Sequence, residues 1–479
     1  MTARYRRRAG PAPPIHSRPV HGRPVHSRPV GEGHPGRGWD QRGPDVGWRP
    51  VGIRDLVADT RPLQNRHFKR LWLANIVTVV GAQLTVVAVP AQIYADTGSS
   101  AYVGLTGLFG LVPLVVFGLY GGALADVFDR RTILLVTTVG LIVTSALFWL
   151  QAAAGSTNVW LLLCLFAVQQ AFFAVNQPTR SAVLPKLLPP ELLPAANSLN
   201  MTVMQAGAIA GPLVAGVLIP VLGFEWLYLI DTITLLATLG AVLGLPSLAV
   251  VDAATTTPGL RSVVEGLAYL RQQPVLLMSF VVDLIAMVFG MPRALFPEIA
   301  AVDFGGPEEG GIVFALLFAA IPAGAVLGGV LSGWVSRIER QGLAVIVCIL
   351  VWGAAIIGFG TAVLLAGVDG WRTPMLVVAL LMLMVGGAAD MASAAFRSSM
   401  LMTAADDAVR GRLQGVFIVV VAGGPRIADV AHGAAAASVG AGAAAAGGGV
   451  LVVVGTVLAA LAVPSFVRYR LTRTAAPLT

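Results

Sequence analysis

The sequence predicts an all-α membrane protein: twelve transmembrane helices in two six-helix pseudo-repeats, with both termini in the cytoplasm. Three observations carry that expectation. The 479 residues are 56% hydrophobic and only 12% charged, with a mean hydropathy of +0.80, far from a soluble domain, in which about a quarter of residues are charged. Apolar runs of about twenty residues, the length a helix needs to cross a hydrocarbon core of about 30 Å, recur in series. The basic residues fall on alternate connections between those runs.

Residues 1–60 come first, a basic Pro/Arg-rich tail with three tandem pentapeptides: His16 to Val20, His21 to Val25 and His26 to Val30. That composition cannot bury a core and predicts disorder, with a downstream start near Val51 as an alternative origin of the tail. "GEGHPG" at 31–36 matches G-x-G-x-x-G, but has no strand before it and no helix after it, so it is a chance match. The tail contains no apolar signal-peptide core, so the first span is expected to be its own insertion signal.

The first bundle, 61–245, holds spans near Leu71 to Tyr94, Ala101 to Ala125, Ile133 to Ala154, Val159 to Val175, Ala195 to Ile219 and Phe224 to Leu245. A linker, 246–274, follows. Its stretch "LRSVVEGLAYLRQQP" sets Leu260, Val263, Val264, Leu267 and Leu270 on one helical face, which fits a helix lying on the cytoplasmic membrane surface. The second bundle, 275–467, holds spans near Val275 to Met291, Ile312 to Val335, Leu343 to Ala366, Met375 to Ala395, Val416 to Val439 and Ala441 to Val463. Its last break, at Gly440, has no polar turn. A short basic tail, 468–479, ends the chain.

Orientation follows from the 32 lysines and arginines. Fifteen precede residue 71, and fourteen lie in alternate connections or at the C-terminus. Only Arg372 falls in the opposite loops, and Arg293 and Arg426 are assigned to spans. The positive-inside rule therefore places both termini in the cytoplasm, which requires an even number of spans. Cys164 and Cys348 are read as small packing residues within apolar runs. The scarcity of lysine and abundance of Ala and Gly fit a GC-rich bacterial source.

The halves echo one another. "GGALADVFDRR" (121–131) has a counterpart in "GGVLSGWVSRIERQG" (328–342), and "PTRSAVL" (178–184) in "AFRSSML" (395–401), with Arg180 matched to Arg397. Six-span halves with equivalent cytoplasmic loops are the pattern of a secondary transporter built from parallel repeats.

Gly122-Ala-Leu-Ala-Asp126-Val-Phe-Asp-Arg130-Arg131 resembles the loop signature G-x-L-A-D-R-x-G-R-R of the major facilitator superfamily, departing at Val127 and Asp129. "VAVPAQIY" (87–94), "NQPTRSAVLPKLLPPELLPAANSLN" (176–200), "AAIPAGAVLGGVLSGW" (319–334) and "VRGRLQGVF" (409–417) resemble its branch of bacterial enterobactin, that is siderophore, exporters, which also holds drug exporters. The resemblance runs over nearly the whole chain after residue 60. It implies the major facilitator fold and a cytoplasmic gate formed by Gly122, Asp126, Arg130, Arg131 and Arg180, with Asp126 latched to Arg180 or to the start of span eleven. It also likens Gly207, Gly211, Pro212 and Gly216 to an antiporter motif in which Ala215 replaces one Gly. Glycines at such spacing are equally ordinary membrane packing. Gln169, Gln170 and Gln83 stand where drug/proton antiporters carry ionisable groups, which counts against a standard drug-antiporter proton path.

Ionisable groups within spans are costly and mark substrate or proton paths. The candidates are Asp231, Asp283, Arg293, Asp390, Arg426 and Asp429, with His432 on the same face as the last two. Fourteen residues at about 1.5 Å each place Arg426 roughly 21 Å beyond Arg412. Either Arg426 and Asp429 neutralise each other, or Arg426 attracts an anionic, catecholate-like substrate while Asp283 or Asp429 exchanges protons. Glu298, Glu308 and Glu309 are expected to be solvated at the outer surface.

The expected function is secondary active export across the inner membrane, by alternating access, of a siderophore or similar amphipathic small molecule in exchange for protons. Multidrug efflux is the first alternative, and a non-transporting sensor or scaffold the second. No Walker-type, H-E-x-x-H or paired-Cys pattern occurs, so the chain is expected to be no enzyme, with no metal and no cofactor. Its expected partners are the substrate, protons and the bilayer, with no nucleic acid, and the chain is expected to act as a monomer.

Overall fold

A computed structural model describes residues 59–246, 268–404 and 407–470, with the side chains of 119–127, 336 and 403–422 outside the description. The expectations for the tail, for most of the linker and for the side chain of Asp126 lie outside it. Of the linker helix, residues 268–272 are described, and they are helical.

The described residues are all helix and loop. The first six long helices are α1 (Arg66–Thr97), α2 (Ser100–Val127), α3 (Arg130–Ala153), α4 (Val159–Leu187), α5 (Leu193–Leu222) and α6 (Phe224–Leu243). Then come α7 (Pro274–Gly290), α8 (Ile312–Val330), α9 (Gln341–Leu365), α10 (Arg372–Ala404), α11 (Asp407–Val439) and α12 (Ala441–Ala462). Eleven segments among the described residues are long and apolar enough to cross a membrane. Their outward faces are apolar too, with Val221 77% and Leu461 71% exposed, as lipid rather than water as solvent allows.

Local chemistry sets the breaks. Asn65 caps α1, its side chain accepting from the backbone N–H of His67 and Phe68. Gly98 ends that helix at φ +62, a left-handed conformation glycine adopts without strain. Asp129 caps α3 by accepting from the Arg131 N–H at 2.8 Å, which gives the residue replacing the signature's glycine a local purpose. The break at Gly440 needs no polar turn because the backbone there takes φ +83.

Two boundaries differ from expectation. Arg293 lies in the apolar segment Pro274–Asp303, as expected of span seven, but not in its regular helix: α7 stops at Gly290, Pro292 follows, and Arg293 opens a short turn before the wound segment ending at Asp303. Proline removes a backbone donor and ends the regular ladder here. Likewise α8 ends at Val330, and residues 332–337 form a separate turn of tighter helix.

Packing repeats with a shift of six helices. The pairs α1/α6, α2/α4, α3/α4 and α3/α6 have counterparts in α7/α12, α8/α10, α9/α10 and α9/α12, and between the sets α2 packs on α11 as α5 packs on α8. Both of those crossings rely on glycine. A methyl added at Gly104 of α2 would lie 2.6 Å from the carbonyl oxygen of Asp429, and one at Gly216 of α5 would lie 2.7 Å from that of Gly311. Small residues let the backbones approach this closely. At the same end, Ser100 Oγ donates to a Glu298 carboxylate oxygen, so Glu298 is engaged with α2 rather than merely solvated.

Candidate functional site

Two adjoining cavities of about 300 and about 210 Å³ share Val86, Gln170, Phe173 and Arg426 in their linings. The larger is walled by α1, α2 and α4 on one side and by α11 and the Arg293 turn on the other. Its charges are Arg293, Arg426 and Asp429. The smaller runs among α1, α3, α4 and α6 and is lined by amides and hydroxyls, including Asn75, Gln83, Asn176 and Thr138, with Asp231 and Arg180 also on its wall.

Arg426 follows Pro425 in α11, and the carbonyl side of its backbone is pressed against Gly107 of α2. Its guanidinium donates to Gln170 Oε1 at 3.1 Å and lies 5.3 Å over the Phe166 ring, a cation–π arrangement. Asp429, one turn on, pairs with Arg293 at 3.6 Å. The expectation that Arg426 and Asp429 simply neutralise each other is corrected on this point: the turn after α7 brings Arg293 to Asp429. Among the described residues, no carboxylate lies within ion-pair distance of Arg426. Two cations and one carboxylate therefore face the larger cavity.

His432 is turned away from that wall. Its Nε2 is 3.1 Å from the carbonyl oxygen of Phe289, tying α11 to α7. Asp283 and Asp390 form a separate cluster with Arg397. Arg397 is 6% exposed and makes an ion pair with Asp283, while Asp390 lies 3.9 Å from its other amino group. The sequence presents Arg397 only as a loop base, matched to Arg180. Its burial comes from the packing of the 33-residue helix that carries it and from the pair with Asp283.

Asp231 sits apart from these cations. Its Oδ2 accepts from Thr85 Oγ1 at 2.8 Å and Ser145 Oγ at 3.0 Å. Gly81 leaves the space beside Oδ1, where an added methyl would come within 2.9 Å. Thr85, Ser145 and Phe166 were not anticipated from the sequence, whose only hint was polar or aromatic side chains in otherwise aliphatic runs.

The arginines of the expected gate bind helix carbonyls. Arg130 donates to Ala182 O at 3.1 Å, Arg131 to Leu243 O at 3.0 Å and Arg180 to Leu71 O at 3.3 Å. These bonds join α3 to α4 and α6, and α4 to α1, with Arg131 at the negative end of the α6 dipole. Gly122 lies in α2, and the Asp126 side chain is outside the description. In the antiporter-like segment, methyls added at Gly207 and Gly211 would strike Val79 and Gln83 of α1, whereas Gly216 faces α8. Replacing Gly216 with leucine should therefore hold α5 away from α8. In a background with Cys164 and Cys348 replaced, a maleimide should then label Ile219→Cys more than in the Gly216 parent; unchanged labelling would contradict this role.

Comparison with known proteins gives a consistent result. Residues 58–473 match the family described as transmembrane secretion effectors. Over 351 residues the chain is 26% identical to the enterobactin exporter EntS of Shigella boydii serotype 18, covering 73% of this chain and 80% of that protein, and it matches EntS of Escherichia coli O1:K1 to the same extent. Its fold resembles an inward-facing, unoccupied bacterial homologue of the human lysosomal transporter Spinster: TM-score 0.64, 16% identity, 87% of this chain and 100% of that one covered. A bacterial homologue of the iron transporter ferroportin, also inward-facing, gives TM-score 0.61 at 14% identity, covering 84% and 98%. At these identities the structural likeness concerns the fold alone.

Proposed function

The chain belongs to the transmembrane secretion effectors of the major facilitator superfamily, and on that premise we propose that it exports an anionic, amphipathic small molecule of the siderophore class in exchange for protons. It is a multi-pass membrane protein and a transporter, not an enzyme. We read α1 to α12 as twelve spans in halves 61–245 and 275–467, with both termini on the cytoplasmic side of the inner membrane, and one chain as the working unit. The arginine-bearing connections support that orientation.

The observation that carries the substrate class is Arg426, a half-buried cation with an amide and a ring for partners on the facing half. A guanidinium and an oxyanion 4 Å apart attract by about 4 kcal/mol at an effective dielectric near 20, so an acidic substrate gains most from this wall. The apolar remainder of the lining, among it Val89, Phe173 and Phe318, suits the rest of an amphipathic molecule. In this orientation the α2/α11 and α5/α8 contacts close the outer end while the smaller cavity extends to Arg180 near the cytoplasm. We read that arrangement, with its outer end closed, as the loading state, and rocking of the halves about the cavity completes export.

The apolar lining also suits a multidrug exporter, and cargo charge separates the readings. Purified protein in proteoliposomes should accumulate enterobactin when a pH gradient is imposed, and should neglect cationic dyes. Accumulation of the dyes without enterobactin would discard the anionic-cargo reading, and a rate indifferent to the gradient would discard proton exchange.

A further inference from the structure

Four aspartates lie within the helices of the two halves away from their ends: Asp231, Asp283, Asp390 and Asp429. Three of them face arginines: Asp283 and Asp390 share Arg397, and Asp429 faces Arg293. A carboxylate beside a guanidinium holds its charge and gives up its place to a proton poorly. Asp231 has no such partner among the described residues and is 2% exposed. Its Oδ1 has no hydrogen-bond partner among them either.

The surroundings of Asp231 can be followed on every packed element. From α1 it meets Thr85 and Gly81, and from α3 Ser145. The ionisable residues of α1 and α3 are Arg66, His67, Lys69, Arg70, Tyr94, Asp96, Arg130 and Arg131, all near helix ends, and α5 has none. On α6 itself the neighbours are Glu225, at its start, and Tyr228, one turn away, stacked on Phe148. Across the smaller cavity stand Arg180 and Arg426.

Polar contact extends in both directions from this carboxyl. Toward the proposed outer end, Ser145 bridges Asp231 and the Tyr228 carbonyl, and the Tyr228 hydroxyl donates to Gln92 at 2.9 Å. Gln92 in turn pairs with Gln151, two residues before α3 ends. Toward the proposed inner end, Asp231 forms part of the same cavity wall as Thr138, Asn75 and Arg180.

We infer that Asp231 is the proton-carrying group of the exchange cycle, in place of the ion-paired Asp283 and Asp429. When the outer end is open, a proton from the outer solution adds to the Asp231 carboxylate and cancels its charge in the first half. When the inner end is open, the proton leaves through the smaller cavity to the cytoplasm and the anionic substrate settles on Arg426. No other bond changes. The proton on Asp231 and the cargo on Arg426 then occupy the protein in alternate halves of the cycle, which gives exchange its coupling.

This inference rests on the proton-exchange reading, and the test separates the two. Asp231→Asn keeps the shape and the polar contacts but binds no proton. In proteoliposomes it should still exchange labelled for unlabelled enterobactin measurably above liposomes without protein, while accumulation driven by a pH gradient falls to the level of those liposomes. Asp231→Glu should retain gradient-driven accumulation. In the unaltered protein, dicyclohexylcarbodiimide, which attacks protonated buried carboxyls, should label Asp231 and spare Asp283 and Asp429, with labelling lost as the pH is raised. Gradient-driven accumulation by Asp231→Asn equal to the parent, loss of exchange together with accumulation, or label on Asp283 or Asp429 in place of Asp231 would each overturn the assignment alone. An unaltered protein indifferent to the gradient would overturn the antiport reading beneath it as well.

Discussion

Replacing Arg426 with glutamine is expected to raise the KM for enterobactin about 10- to 100-fold, with the protein still assembled and stable. A hydrogen bond to a charged group contributes about 1.5–3 kcal/mol, and each 1.4 kcal/mol is a factor of about ten in affinity. Glutamine retains a donor toward Gln170 and removes the charge, so what is lost is attraction for the anion and not the hydrogen bond from α11 to α4. Arg426→Lys should recover only part of the effect, because a point charge cannot hold Gln170 and a substrate oxygen in one fixed fork. The check is a concentration series of gradient-driven uptake in proteoliposomes. A KM unchanged in Arg426→Gln would remove the anion site from the larger cavity.

The second large effect is on stability. Asp283→Ala should destabilise the protein by about 3–5 kcal/mol, because it leaves the guanidinium of Arg397 buried beside an empty place. Arg397 is 6% exposed, and Asp390 at 3.9 Å, itself 28% exposed, is a poor substitute. The double variant Asp283→Leu with Arg397→Leu removes both buried charges and should recover most of the loss. Thermal unfolding of detergent-purified protein distinguishes the outcomes: equal losses in the single and the double variant would mean that this ion pair does not hold α7 to α10.

Those two arginines differ in a way the sequence alone does not reveal. Arg426 is legible as a candidate, since fourteen residues of helix separate it from Arg412 and leave it deep in an apolar run. Arg397 looks like one more cytoplasmic base, matched to Arg180 in the other half. The helix that carries it runs on to Ala404, and this extension turns an apparent loop residue into a buried one. Arg293 lies in the apolar segment to which it was assigned, but in a turn after Pro292 that lets it reach Asp429. Gln170 was legible only as a departure from an antiporter pattern. In the structure it receives a cation from the opposite half.

The sequence by itself determined the long apolar segments, the alternate connections on which the arginines fall, the six-helix rhythm of the chain and the family. Each of these is written in short-range quantities: run length, charge per connection and the spacing of small residues. Tertiary structure alone decided which charge meets which. The Arg426–Gln170 bond joins residues 256 apart, and such a pairing depends on how helices rotate about their axes and where two halves close on glycine. Because a buried charge is stabilised chiefly by what lies within a few ångströms of it, the same four aspartates became three that face arginines and one held by hydroxyls only when the helices were packed.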